Sequence, residues 1–144
     1  MPSRPLLLAM LLLAACSGKD KPAPAPIAAA DSASTPQTEA EVLGRELYSL
    51  VDQAMSYKSA HRGRLPRSLR ELGVDELTRS TSRTLTVSGG EPVVQVDFRN
   101  LGVHVLRNCR ATSSILEEAA LSGGEFSVIC TTVTGGSTTL KVRP

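Results

Sequence analysis

The feature that most restricts how this chain can fold is a change of hydrophobic period at Ser80. Before it, Leu43, Leu47, Leu50, Val51, Ala54 and Tyr57 recur at three- and four-residue steps, with Arg45, Glu46, Asp52 and Gln53 outside the stripe. That spacing predicts a helix burying one face. After it, residues 83–87, 93–98 and 103–107 alternate or run apolar as strands do, with Gly89-Gly90, and Asn100 with Gly102, at the turns between them. A short helix over 113–121 ends at Gly123-Gly124, and strands over 126–133 and 137–142 are joined by a hairpin turn at residues 134–136. The two periods specify an α+β domain, with one long N-terminal helix packed on a four- to five-stranded antiparallel sheet.

The helix boundaries are punctuated. Thr38-Glu39-Ala40-Glu41 has capping-box spacing and predicts the start. Gly63 and Pro66 predict the stop near Ala60. Leu69, Leu72, Val74 and Leu77 then suit short helical turns interrupted by Gly73. Ser-Gly-Gly-Glu occurs at 88–91 and again at 122–125, each time ahead of a strand, and reads as two similar turns rather than a duplication.

Upstream of the domain, Arg4 precedes a ten-residue apolar block, residues 6–15, that ends in small residues. This is signal-peptide anatomy, and the block is about half the ~20 residues a spanning helix needs. The sequence Leu13-Ala14-Ala15-Cys16 resembles the lipobox of bacterial lipoproteins. The resemblance implies that the Cys16 thiol is alkylated by diacylglycerol and that the chain is cut before it, leaving palmitate-type acyl chains as a membrane anchor. The competing reading is an ordinary secretory signal cut after Ala15. Each buried methylene contributes about 0.8 kcal/mol, so two or three acyl chains hold a protein almost permanently. Ser17, where such lipoproteins can carry aspartate, favours the outer membrane, facing the periplasm.

Removing residues 1–15 also removes Arg4 and lowers the formal charge from +2 to +1. A near-neutral chain is a poor partner for nucleic acid. Residues 16–37 carry the lipidated cysteine and Pro22, Pro24, Pro26 and Pro36 among alanines and serines, which predicts a disordered linker. Residues 38–144 remain for a single domain. With no tryptophan, two tyrosines and two phenylalanines, its core must rest on aliphatic residues.

Cys109 and Cys130 remain as a pair in an exported chain, and such a pair commonly forms a disulfide. Two buried thiols are the other reading, and the wide spacing argues against a redox couple. A zinc site needs three or four ligands, and His61 and His104 have no patterned partners, so no metal or cofactor is expected. His104 with Asp97 and a serine could form a hydrolytic site, but its alternating strand favours a solvent-side position for His104. Glu117-Glu118 could work as acid and base, but neighbours on a helix diverge and fit a solvated face. The densest charge is the run Lys58, His61, Arg62, Arg64, Arg67 and Arg70. It could bind anionic lipid or polysaccharide, but a solvated helix end, where cations complement the dipole, is the favoured reading.

Residues 54–73, Ala-Met-Ser-Tyr-Lys-Ser-Ala-His-Arg-Gly-Arg-Leu-Pro-Arg-Ser-Leu-Arg-Glu-Leu-Gly, resemble the segment of type IV pilins and type II secretion pseudopilins where the long helix ends. There, alanine and tyrosine on the helix are followed by a polar stretch, glycine, an apolar residue, proline, a small hydroxyl residue and leucine. The order of long helix, connecting segment, antiparallel sheet and late cysteine pair is also similar. The N-terminus departs from that family, because a lipobox and a proline-rich linker replace the prepilin-peptidase site and the filament-forming apolar helix. The resemblance therefore implies a pilin-like head on a lipid tether, non-enzymatic, binding an envelope protein as an accessory to a secretion or pilus apparatus. The candidate partner surfaces are Arg62, Arg64, Arg67 and Arg70, and the sheet face opposite the helix. A small periplasmic ligand-binding or hydrolytic lipoprotein, and a structural envelope spacer, are the alternatives.

Overall fold

A computed structural model describes residues 33–143; the predicted signal peptide, Cys16 and most of the predicted linker lie outside the described residues. The order is helix α1 (Pro36–Ala60), strands β1 (Thr81–Ser88), β2 (Glu91–Phe98) and β3 (Leu106–Thr112), helix α2 (Ser114–Leu121), and strands β4 (Phe126–Thr132) and β5 (Ser137–Val142). All five strands are antiparallel neighbours in sequence order. The fold is α+β, as the change of period requires.

Helix α1 starts earlier than the Thr38 cap predicts. Thr35 is the N-cap, and Thr38 is the third helical residue that bonds back to it: the Thr38 amide donates to the Thr35 hydroxyl, and the Thr35 amide to the Thr38 hydroxyl. Pro36 occupies the first helical turn, where its missing N–H costs nothing and its fixed φ suits the helix. Two overlapping sequences fit the capping pattern, and the one with the proline is used. Residues 36 and 37 therefore belong to the helix rather than to the linker.

The apolar stripe of α1 (Leu43, Leu47, Leu50, Val51, Ala54) is buried against the sheet residues Val94, Val96, Leu106, Phe126, Val128 and Val142. Gly44 permits the closest approach, since a Cβ there would lie 2.7 Å from Val142 Cγ2. An ion pair also ties α1 to β1, with Arg83 Nε 3.0 Å from Glu46 and the Thr81 hydroxyl donating to the same carboxylate.

The third strand differs most from expectation. Residues 101–103 form a 3-10 turn, and β3 begins only at Leu106. Leu106 pairs with Thr132 and Asn108 with Thr131, so Arg107 is the extra residue of a β-bulge. The bulge shifts parity, and Leu106, Cys109 and Ala111, rather than a strict alternation, face the core.

Candidate functional site

The predicted basic surface is divided between internal contacts and solvent. His61 caps the C-terminus of α1 and stacks on Tyr57 at 3.7 Å. Arg62 takes a left-handed φ of 55°, which turns the chain out of the helix. Arg64 lies over the Tyr57 ring at 5.1 Å, bonds the Tyr57 hydroxyl, and pairs with Glu71 at 3.4 Å. The Arg67 amide donates to Glu71 at 2.8 Å. That bond lowers the Glu71 pKa most; burial opposes it, and Arg64 and the Tyr57 hydroxyl add to the lowering. Glu71 is thus a clasp that shapes the turn, and Arg64 is consumed by it. His61 and Arg64 remain exposed despite these contacts; Arg62, Arg67 and Arg70 are exposed without an ion pair to a described residue, the last beside an open depression of about 730 Å³ with Asp75, Glu76 and Leu77 on its wall.

His104 is not a solvent-side strand residue. It follows the 3-10 turn, stacks on Phe98 at 3.7 Å with the rings nearly parallel, and places Nδ1 3.1 Å from Glu39. Glu39 itself is 2 % exposed, and its carboxylate accepts from the Val105 amide at 3.0 Å and the Leu106 amide at 2.6 Å. Burial pushes the Glu39 pKa up, but hydrogen bonds from the Ser34 hydroxyl, those two amides and His104 outweigh it and hold the carboxyl below its usual value. Three donors around one carboxylate make a bracket between the first turn of α1 and the start of β3. Its position in the first helical turn is the only local signal for Glu39; its partners lie more than sixty residues away.

Asp97, the predicted companion of His104, lies on the other face of the sheet, where it accepts from the Gln95 and Asn108 amides. Adjacent strand residues point to opposite faces, so Phe98 carries His104 on one side while Asp97 stands on the other. The structure does not bring that pair together. Glu118 is also not part of a solvated face: its carboxylate accepts from the Ser127 hydroxyl at 2.7 Å and the Ser127 amide at 3.0 Å, pinning α2 to β4. These bonds lower its pKa against the opposing effect of burial. Glu117 is exposed.

Cys109 and Cys130 sit directly opposite each other on β3 and β4 and form a disulfide, fully buried beneath the helix layer. Among the described residues, no group of three or more histidine, cysteine, aspartate or glutamate side chains converges as metal ligands would. On the sheet face away from α1, a groove of about 420 Å³ runs beside the start of α2, with Val93, Ile115 and Ile129 on its floor and Arg110 as its charged member. No protein-family description, curated protein or solved structure matches this chain.

Proposed function

We propose that this chain is a lipid-anchored envelope protein whose pilin-like head is a non-enzymatic interaction module, binding another envelope protein as an accessory to a secretion or pilus apparatus. One observation carries the reading. A 25-residue helix lies across an antiparallel sheet, and after Gly63 the chain leaves it through the Leu65-Pro66-Arg67-Ser68-Leu69 turn on which the pilin resemblance rests. The groups that carry chemistry elsewhere have structural work: Glu39 holds His104, the amides of Gln95 and Asn108 hold Asp97, and Glu71 holds Arg64. Arg67 and Arg70 project from the turn without ion pairs among the described residues, and they are the partner contacts we favour.

The test is crosslinking in cells followed by affinity recovery, with intact protein, Cys16→Ala, and Arg67→Glu/Arg70→Glu compared. Recovery of secretion or pilus components that falls several-fold in the double variant supports the reading. Recovery of no specific partner, or recovery indifferent to both arginines, removes it. The Arg110 groove favours a second reading, a small anionic ligand held over an apolar floor. A rise in melting temperature with such ligands that Arg110→Ala abolishes would move the assignment there.

A further inference from the structure

The connection between β2 and β3 is the most exposed apolar loop beside the point where the chain enters the domain. Val103 is 66 % exposed and Val105 37 %, although both lie next to fully buried Leu106. Val42, 45 % exposed, is on the same flank of α1 as Glu39, one turn further on. Glu39 joins these pieces, because its carboxylate accepts from the Val105 amide while its own amide donates to the carbonyl of Thr35, the helix N-cap. The first described residues of the chain therefore lie at this patch.

Exposed arginines stand at both ends of the connection. Arg107 is the extra residue of the β3 bulge, a feature that turns a side chain away from the ladder, and it is exposed. Arg99 is exposed at the other end of the connection and donates to the Thr78 carbonyl, which places it beside exposed Arg79. None of the three forms an ion pair with a described carboxylate. Glu39 is buried under its donors and presents no free carboxylate to the surface; half-buried Asp97 is held by the side-chain amides of Gln95 and Asn108, and exposed Glu76 stands three residues before Arg79. Small exposed apolar side chains in a loop flanked by exposed arginines without ion pairs match the boundary of an anionic phospholipid bilayer, where apolar atoms enter and guanidinium groups stay among the headgroups.

We propose that this loop rests on the phospholipid surface that anchors the chain, with Val103 at the headgroup boundary and Arg79, Arg99 and Arg107 against anionic lipid. The proposal depends on the anchoring of Cys16 set out under the proposed function. Three valines and three arginines make a weak contact for a protein free in solution. A tether of about twenty residues raises the local concentration to the millimolar range, at which weak contacts are occupied. The head is then oriented on the bilayer.

The chain contains no tryptophan, so a single one reports its own surroundings. Chain beginning at Cys16 is coupled through the Cys16 thiol to a maleimide lipid in phosphatidylethanolamine/phosphatidylglycerol vesicles, which anchors it whether or not cells acylate it. Val103→Trp should then lose about half its emission to brominated lipid, as expected for a ring about 5–10 Å into the boundary. Ile129→Trp, on the far sheet face, should be almost unaffected. Adding Arg79→Glu and Arg107→Glu to Val103→Trp should remove most of the quenching, as should vesicles of phosphatidylcholine alone. Equal quenching at both positions, or none at Val103→Trp, overturns the proposal. Acylation of Cys16 is read separately, by mass spectrometry of its N-terminal peptide from cells, so failure of the anchor and failure of the contact are distinguishable.

Discussion

Glu39 concentrates more of the tertiary structure than any other polar residue. Two backbone amides and an imidazole converge on its carboxylate, and removing it strands the buried Leu106 amide. Glu39→Ala should therefore cost about 1–3 kcal/mol, seen as a fall in melting temperature of about 4–8 °C per kcal/mol for a domain of this size. The pH dependence follows from the lowered pKa. Deprotonated Glu39 stabilises the fold fully above the unfolded glutamate value, near pH 4.3, and the contribution disappears as pH falls through the lower folded value. In urea titrations at pH 7 and pH 3, the stability gap between the native chain and Glu39→Gln should narrow at pH 3. A gap equal at both values would show that the carboxylate charge contributes nothing. Gly44 gives a second residue-scale test. Alanine would gain about 1 kcal/mol of helix propensity, but its Cβ would meet Val142 Cγ2 at 2.7 Å, and overpacking of this kind costs about 1–3 kcal/mol. Gly44→Ala should be destabilising alone and much less so beside Val142→Ala; a double-mutant cycle with no coupling would place the helix further from β5.

Among the elements, the disulfide joins β3 and β4 at the strands that flank α2, closing a loop of 21 residues. Restriction of the unfolded chain by a loop of that length is worth about 3 kcal/mol. Cys109→Ala/Cys130→Ala should lower urea stability by about that amount, and reduction of the unsubstituted chain should do the same; unchanged stability after complete reduction would refute a stapling role. The elements differ in how plainly the sequence announces them. Helix α1 and strands β1, β2, β4 and β5 are legible because their apolar residues keep the helical or the alternating period, and each is closed by glycine or proline. Strand β3 is misplaced by three residues for a physical reason. Val103-His104-Val105 alternates like a strand, yet His104 is drawn to Glu39 and Phe98 and the chain turns there. The bulge at Arg107 then breaks the parity that would have marked Leu106, Cys109 and Ala111 as one face. The roles of Glu39 and Glu118 depend on partners brought by the fold, which no window of sequence contains. Arg64 was legible as a cation but not as the partner of Tyr57 and Glu71, because that contact needs the helix to end and the chain to double back.

At the scale of the whole domain, α1 sets two basic surfaces apart. Its 25 residues rise about 36 Å, with Glu39 and the Val105 and Leu106 amides it holds at the first turn and the Arg67 and Arg70 side chains beyond the last, while Arg79 lies between, two residues past the Leu77 wall of the Arg70 depression. Screening in 0.15 M salt acts over about 8 Å, so Arg107, next to Leu106, exerts little force on ligands at Arg67. The two contacts should therefore be genetically separable. Arg67→Glu/Arg70→Glu should reduce recovery of an envelope partner and leave the lipid quenching of Val103→Trp unchanged. Arg79→Glu/Arg107→Glu should abolish that quenching while the partner is still recovered by crosslinking. All four side chains are exposed and make no ion pair with a described residue, so each double variant should unfold within about 1 kcal/mol of the parent, since each surface substitution changes stability by about 0.5 kcal/mol or less. If one pair of reversals removed both contacts without unfolding the domain, the bilayer and the partner would have to share a single surface. The length of α1 would then have no part in how the head is presented.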